Sequence, residues 1–125
     1  MPQNRGTVLI VDDDAAVRSS LKFALEVEGL QVRLYAGAEA LLADDDLPSC
    51  GCLVVDYRMP VMDGLALIDA MRARNVAMPA ILITGRANKQ LRSLAAKSGV
   101  REVLEKPLSD GALVASIRSA MAASG

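Results

Sequence analysis

The stretch GCLVVDYRMPVMDG, residues 51–64, has the pattern of a strand, a tight loop and the start of a helix. Residues 52–55 are all apolar, which is typical of a strand buried on both faces of a parallel sheet. The apolar run ends abruptly in the carboxylate of Asp56, and Pro60 then interrupts regular structure before a helix that begins at Asp63. A buried strand has no evident use for a charge at its end, so Asp56 is a candidate functional residue.

The same alternation of strand and helix extends outward over the whole chain. Strands are predicted at residues 7–11, 31–35, 52–56, 80–84 and 102–105. Helices are predicted at about 14–28, 37–45, 63–74, 87–98 and 109–122. The first, third and fourth strands are almost continuously apolar and are expected at the centre of a sheet, whereas the second alternates and is expected at an edge. Five βα units with right-handed crossovers predict an α/β fold of the flavodoxin-like type, a three-layer sandwich whose parallel five-stranded sheet has the order 2-1-3-4-5.

Length and composition are those of one globular domain, residues 1–125. Apolar residues make up 52% of the chain and charged residues 23%, and the net charge of -1 provides no general attraction to nucleic acid or membranes. The apolar run at 7–11 is too short for a signal peptide or a membrane span, so a cytoplasmic location is expected. Cys50 and Cys52 are interpreted as small apolar residues at the start of a strand.

The chain contains no histidine. This excludes Ser-His and Cys-His nucleophile pairs, His-ligated metals and a histidine general base supplied by the chain itself. Any chemistry must therefore come from carboxylates, lysine, hydroxyl groups and the backbone.

Reactive groups stand at the carboxyl ends of four predicted strands. In chain order these groups are Asp12, Asp13 and Asp14, then Asp56, Thr84 and Lys106. In the predicted order the first and third strands are neighbours, so their acids are expected to converge where the winding of the sheet reverses. Carboxylates at close quarters repel one another, and a hard divalent cation or the ammonium group of Lys106 would offset that repulsion.

Each of these residues taken alone has an ordinary structural explanation. Asp14 is expected to start the first helix, because acidic residues favour helix N-termini. A strand-end acid such as Asp56 can cap a turn, and a lysine such as Lys106 is usually solvated. The acidic run at 44–46 is interpreted as a solvated helix end on the opposite edge of the sheet. The combination favours function, because four strands each place a reactive group on one edge.

The motifs LIVDDD, LVVDYRMPVMDG, ILITG and EKP, in this order and spacing, resemble the receiver domain of bacterial two-component response regulators. FixJ-type receivers are the most similar, and the resemblance covers residues of about 6 to 122. It implies a signalling switch that takes a phosphoryl group from a phosphohistidine of a sensor histidine kinase or a histidine phosphotransfer protein. It also implies that the domain is not a conventional enzyme, although it catalyses its own phosphorylation and a slow autodephosphorylation with Mg²⁺ or Mn²⁺.

The resemblance assigns a role to each residue at the sheet edge. The phosphoryl acceptor is Asp56, assisted by the hydroxyl of Thr84 and the ammonium group of Lys106. The metal ligands are the carboxylates of Asp12, Asp13 and Asp56 and the backbone carbonyl of Arg58. The peptide bond between Lys106 and Pro107 is expected to be cis.

One position departs from the family pattern. Three residues before the lysine, where the family usually has an aromatic side chain that moves with the threonine, this chain has Val103. We expect the loop after the fourth strand and the fourth helix to move on phosphorylation, while the fifth strand contributes packing.

The segment 86–101 contains five basic residues and no acidic one. It is typical of a solvated helix face, and it also fits an output surface for an acidic partner or for a second copy of the chain. Because Glu102, Glu105 and Asp110 follow directly, a two-fold homodimer through the fourth helix, fifth strand and fifth helix would be self-complementary. Direct binding to nucleic acid is not expected, because no recognition helix is left unassigned.

Arg58 and Arg86 follow Asp56 and Thr84 by two residues each. We expect them to overhang the site and to slow the loss of the phosphoryl group, either by obstructing the hydrolytic water or by holding phosphoryl oxygens.

Two functions within the receiver family and one other class of protein stay open. The domain is either a stand-alone receiver that signals to a downstream protein or the N-terminal receiver of a transcription regulator with a fused output domain. The other class is a HAD-like aspartyl-phosphate phosphatase, which needs a second acid two residues after the nucleophile. Arg58 occupies that position, which disfavours the phosphatase.

Overall fold

Strands and helices alternate through the described part of the chain. The structure is a computed structural model, and it describes the backbone of residues 6–124 and the side chains of residues 6–109 and 111–122. The strands are β1 (Thr7–Val11), β2 (Val32–Tyr35), β3 (Gly51–Asp56), β4 (Ala80–Thr84) and β5 (Val100–Glu105). The helices are α1 (Ala15–Val27), α2 (Ala38–Leu42), α3 (Gly64–Ala73), α4 (Lys89–Lys97) and α5 (Asp110–Ser124). Residues 1–5 and 125 of the predicted domain, and the Asp110 side chain of the predicted dimer surface, lie outside the described residues.

The strands form one parallel sheet in the order β2-β1-β3-β4-β5. This confirms the predicted flavodoxin-like α/β fold. Strands β1, β3 and β4 are almost wholly buried, as their apolar sequences predict, and β2 is a half-buried edge strand. Each fully buried Val, Leu or Ile side chain contributes roughly 1.5–3 kcal/mol, so the three central strands supply much of the stability of the fold.

Side chains alternate between the two faces of the sheet and build a separate core on each face. One core combines Leu9, Leu53 and Leu82 of the strands with Ile68 of α3 and Leu91 of α4. The other core combines Ile10, Val54 and Ile81 of the strands with Leu25 of α1 and Ile117 of α5. The sheet is therefore the middle layer of three, and its carboxyl edge lies open between the helical layers.

Most elements lie within two residues of their predicted bounds, and β5 and α2 illustrate the differences. Strand β5 begins at Val100, two residues before the predicted start, because Val100 pairs with Ala80 and the register then shifts before Ile81 pairs with Glu102. Helix α2 is shorter than predicted and ends at Leu42. A register shift and a helix end set by side-chain contacts depend on neighbouring elements, so local periodicity does not reveal them.

The acidic run after α2 is not simply a solvated helix end, as its composition suggests. The Tyr35 hydroxyl donates a hydrogen bond of 2.6 Å to Asp44 Oδ2, and Arg33 Nη1 lies 3.5 Å from the same oxygen. The bond from Tyr35 lowers the pKa of Asp44 below its ordinary value of 3.8. Asp44 therefore ties the end of α2 to the edge strand β2.

Cys52 behaves as the sequence predicts, whereas Cys50 is half-buried and directly precedes β3. Cys52 is buried in β3, and burial raises the pKa of its thiol to about 12. Because the thiolate is the reactive form, Cys52 is an inert part of the core.

Among residues 6–124, no helix is both long enough and apolar enough to cross a lipid bilayer.

Candidate functional site

Three carboxylates meet at the carboxyl edge of β1 and β3. Val11 and Val55 are partners in the register of these strands, so Asp12 and Asp56 follow at the same level. One oxygen from each of Asp12, Asp13 and Asp56 lies within 4.8 Å of the others. Asp12 and Asp56 are 2% and 7% exposed, whereas Asp13 faces solvent. The predicted convergence of the acids at the reversal point of the sheet is therefore present.

The three consecutive aspartates after β1 have separate tasks. The Asp12 carboxylate accepts a hydrogen bond of 2.9 Å from the amide of Asp14, which fixes its orientation. The Asp14 carboxylate accepts bonds from the amides of Ala16 and Val17 and caps α1, which confirms its predicted role at the helix start. Asp13 is left exposed toward the opening of the site.

Lys106 approaches Asp56 from the β5 side of the sheet, whereas Asp12 and Asp13 lie on the β1 side. Its Nζ atom is 3.4 Å from Asp56 Oδ1. The Lys106 amide donates a 2.8 Å bond to the Thr84 carbonyl, which continues the pairing of β5 with β4 and fixes where the lysine side chain starts. The Lys106–Pro107 peptide is cis, as expected.

Burial and crowding perturb the two inner acids. Burial raises the pKa of Asp56 above its ordinary value of 3.8, the charge of Asp12 raises it further, and Lys106 acts in the opposite direction. Burial also raises the pKa of Asp12, against the hydrogen bond from the Asp14 amide and the charge of Lys106. The site therefore holds more negative charge than Lys106 offsets, and a further cation would stabilise it.

The donor set fits a hard divalent cation. All three candidate ligands are carboxylate oxygens, which Mg²⁺ and Mn²⁺ prefer over softer metals. Mg²⁺ is usually bound through one or two carboxylates and retains several waters, and the exposed side chain of Asp13 leaves room for them. The role of the Arg58 carbonyl as a further ligand stays a prediction.

The hydroxyl of Thr84 is engaged by the loop that follows it. Thr84 is buried at the end of β4, with 1% of its surface exposed. Its Oγ1 atom donates to the Arg86 carbonyl at 3.2 Å and accepts from the Arg86 amide at 3.3 Å. The hydroxyl is thus at the predicted edge of the sheet, bonded to the β4–α4 loop.

The remaining predicted residues belong to β5 and to the loops that follow β3 and β4. Val103 is half-buried and packs against the core on the α3–α4 side of the sheet. Arg58 is exposed and, with Pro60 and Asp63, lines an open groove of about 460 Å³ beside the β3–α3 loop. Arg86 is also exposed.

Gly64 is a positioning residue that the sequence pattern does not reveal. A Cβ atom at Gly64 would lie 2.7 Å from the carbonyl oxygen of Asp56 and 3.0 Å from the Cα atom of Tyr57. The first turn of α3 therefore packs directly against the backbone of the candidate acceptor. A glycine in a first helical turn is a weak signal, because sequence does not reveal what the helix touches.

Arg18 is a second supporting residue that the sequence pattern does not reveal. It lies on α1 and donates a 2.8 Å hydrogen bond from Nη1 to the carbonyl of Asp12. The bond holds the β1–α1 turn that carries the acids. Its position one turn into the helix is ordinary for an arginine, so no sequence signal distinguishes it.

Residues 8–118 match the protein family described as the response regulator receiver domain. The chain belongs to this family. As a receiver domain it is a module of two-component signalling, and the HAD-like phosphatase alternative has no support.

The receiver domain is similar to parts of known transcriptional regulators. It is 42% identical over 119 residues to the transcriptional regulatory protein FixJ of Bradyrhizobium diazoefficiens, covering 94% of this chain and 57% of that protein. It is 40% identical over 119 residues to the C4-dicarboxylate transport transcriptional regulatory protein DctR of Rhodobacter capsulatus, covering 94% of this chain and 60% of that protein. The chain thus spans a little over half the length of these relatives.

Its fold is also similar to that of solved receivers. Compared with the crystal structure of FixJ-N, the TM-score is 0.86 at 36% identity, with 98% of this chain and 96% of that chain covered. The predicted similarity to FixJ-type receivers is confirmed.

Proposed function

We propose that this receiver domain accepts a phosphoryl group on Asp56 from a phosphohistidine of a sensor histidine kinase or histidine phosphotransfer protein, in a reaction that depends on Mg²⁺ or Mn²⁺. The observation that carries the proposal is the position of Asp56, a buried carboxylate within 4.8 Å of two other acids and 3.4 Å from a lysine. The donor histidine must come from a partner, since the chain has none.

The residues of the chain account for the transfer. An oxygen of Asp56 attacks phosphorus and forms an acyl phosphate while the P–N bond to the donor breaks, and the electron pair of that bond stays with the donor imidazole. Lys106 is placed to meet the negative charge of the transferred phosphoryl oxygens. Held by Asp12, Asp13 and Asp56, a bound Mg²⁺ would neutralise further charge on those oxygens. Attack of water in line with the Asp56–phosphorus bond would later release phosphate, so the domain acts on itself rather than as a conventional enzyme.

The new phosphoryl oxygens would change the partner of Thr84. Its hydroxyl now bonds to the Arg86 backbone, and a phosphoryl group on Asp56 offers stronger, charged acceptors. As Thr84 turns inward, the β4–α4 loop and α4 move with it. Val103 contributes packing and has no hydroxyl or ring with which to follow.

The output is protein contact through the surface formed by α4, β5 and α5. The relatives FixJ and DctR are transcriptional regulators, which supports a fused output domain, and a separate downstream protein is the alternative. The basic residues of α4, together with Glu102 and Glu105 of β5, support a homodimer through this surface. Family membership supports a cytoplasmic location, and we propose that residues 1–125 work as one receiver domain.

The exposed arginines are proposed to set the lifetime of the phosphorylated form. If Arg58 and Arg86 hold phosphoryl oxygens or obstruct the hydrolytic water, the Arg58→Ala/Arg86→Ala variant will lose phosphate several-fold faster than the wild type, an effect of about 1 kcal/mol or more on the barrier. The decay of phosphorylated protein, followed by intact mass, measures this rate. A double variant that retains phosphate as long as the wild type contradicts the proposal.

Incubation with Mg²⁺ and acetyl phosphate, followed by intact mass spectrometry, tests the proposed function. The wild type is expected to gain one phosphoryl group, and Asp56→Ala none. Omission of the divalent cation is expected to abolish the gain. Equal gain in the wild type and in Asp56→Ala would refute the assignment of the acceptor.

A further inference from the structure

Glu105 stands beside Thr84 at the carboxyl edge of the sheet. The two residues are partners in the register of β4 and β5, as are Leu82 and Val103 two residues earlier. Partners in a parallel pair present their side chains to the same face of the sheet. Glu105 therefore shares the α4-side face with Val103, at the position nearest the loop that follows Thr84.

The carboxylate of Glu105 reaches across to that loop. Its Oε2 atom accepts a 3.2 Å hydrogen bond from the amide of Ala87. Ala87 lies directly between Arg86, whose backbone bonds to the Thr84 hydroxyl, and Asn88, whose side chain caps α4 by accepting from the Leu91 amide at 2.8 Å. One contact from β5 thus holds the centre of the segment that joins Thr84 to α4.

A second contact from α4 to β5 supports the same connection. Arg92 Nη1 lies 3.5 Å from the carbonyl oxygen of Val103. Both contacts are polar and surface-exposed, so they can open without disturbing a core. They connect β5 to the loop and to α4 although the Val103 side chain itself provides packing alone.

We propose that Glu105 is a positioning residue that latches the β4–α4 loop in its resting arrangement through the Ala87 amide. When Thr84 turns toward a phosphoryl group on Asp56, the loop carries Ala87 away and the latch opens. The latch therefore opposes activation, and its loss shifts the resting-to-active equilibrium toward the active form. This inference rests on the proposed function, because the active form is the one that binds a phosphoryl group.

Two variants separate the hydrogen bond from the charge. Glu105→Ala removes both the acceptor and the negative charge, whereas Glu105→Gln removes the charge but retains an amide oxygen that can accept from Ala87. The first measurement is amide hydrogen exchange at Ala87 in the unphosphorylated protein. The second is the affinity for beryllofluoride with Mg²⁺, a stable mimic of the phosphoryl group.

The latch predicts distinct results for the two variants. In Glu105→Ala, exchange at Ala87 is expected to be about fivefold faster, and beryllofluoride is expected to bind about fivefold more tightly, equivalent to about 1 kcal/mol. Glu105→Gln is expected to stay within about twofold of the wild type in both measurements, because the acceptor is retained. A purely structural role would weaken rather than tighten beryllofluoride binding.

Other results would overturn the latch. Equal tightening in both variants would assign the effect to the lost charge near an anionic site. An unchanged exchange rate at Ala87 in Glu105→Ala would show that the contact does not hold the loop. Failure of the wild type itself to bind beryllofluoride would instead contradict the proposed function and, with it, the switching role of Glu105.

Discussion

At the residue scale, the site depends on carboxylates that differ in what surrounds them. Asp12 and Asp56 are buried, Asp13 is exposed, and Asp14 caps a helix. Burial raises the pKa values of Asp12 and Asp56, so the metal-free protein holds its inner acids at a cost. A site of this kind lowers the stability of the metal-free protein. Its unbalanced negative charge favours the binding of a cation, which can then hold a phosphoryl group.

Asp56→Asn is expected to stabilise the metal-free protein at neutral pH. Because burial raises the pKa of Asp56, the folded protein binds that proton more tightly than the unfolded chain, and stability falls as the pH rises from 3.8 through the raised pKa. The variant removes this loss and should gain about 0.5–2 kcal/mol, the usual range for a stabilising substitution. Urea unfolding with a chelator present, measured from pH 3 to 7 (roughly the window in which carboxyl groups titrate), follows the difference.

The control for this prediction is Asp45→Asn, which removes an exposed acid and should change stability by less than about 0.5 kcal/mol. The gain in Asp56→Asn should grow with pH and vanish toward acid. A variant that is no more stable than the wild type at neutral pH would contradict the account of the site as overcharged.

The sequence predicts the reactive residues better than it predicts the residues that hold them in place. Asp12, Asp13, Asp56 and Lys106 stand at strand ends, and strand order alone brings strand ends together. Supporting contacts such as Arg18 to the Asp12 carbonyl and Glu105 to the Ala87 amide join residues from different elements. Their partners depend on how helices and loops rest on the sheet, which periodicity does not specify.

At the element scale, α3 begins with a side-chain cap and is held close to the site by tight packing. Asp63 accepts a bond from the Ala66 amide at 2.9 Å and starts α3 immediately after the β3–α3 loop. Gly64 then brings the helix backbone against Asp56. The helix therefore controls the position of Asp56, the proposed acceptor, without supplying a reactive group.

Gly64→Ala is expected to disturb the acceptor through this contact. The added methyl group would meet backbone atoms of Asp56 and Tyr57 at 3.0 Å or less, and backbone cannot rotate away as a side chain can. We expect a loss of about 1–3 kcal/mol in the free energy of unfolding, as for other overpacked sites. Phosphorylation by acetyl phosphate should slow by about tenfold or more, because small displacements of a nucleophile are costly.

The matched control is Gly111→Ala in the first turn of α5. A Cβ atom there would find the Ser109 hydroxyl at 3.8 Å, an ordinary contact, and alanine is the better helix former. This variant should be as stable as the wild type or up to about 1 kcal/mol more stable, with unchanged phosphorylation. Equal behaviour of the two glycine variants would contradict the positioning role of Gly64.

At the scale of the whole molecule, the proposed switch connects the carboxylates at the sheet edge to the proposed output surface. Asp56 lies at the centre of the sheet edge, and the path runs through Thr84 and the β4–α4 loop to α4. The overall architecture follows from the apolar runs of the sequence. The path does not, because the sequence does not reveal that the Thr84 hydroxyl bonds to the Arg86 backbone or that Glu105 of β5 bonds to Ala87.

In the presence of beryllofluoride and Mg²⁺, the domain is expected to self-associate, with α4, β5 and α5 forming the interface. The basic residues of α4 would face the acids of β5 in a second copy, so association should weaken as salt screens these charges. Lys97→Glu on α4 should reduce the association constant by several-fold, while Lys22→Glu on α1 should not change it. Light scattering or sedimentation over a range of concentration and salt measures this, and salt-independent association would contradict the predicted surface.

The central claim is that Asp56 is the phosphoryl acceptor, and chemical trapping tests it most directly. Borohydride reduces an acyl phosphate to an alcohol with release of phosphate, so the modified aspartate becomes homoserine. After incubation with Mg²⁺ and acetyl phosphate, borohydride treatment and proteolysis, peptide sequencing by mass spectrometry should locate homoserine at position 56. Homoserine at position 12 or 13, or its absence from every aspartate of a protein that gained phosphate, would contradict the account.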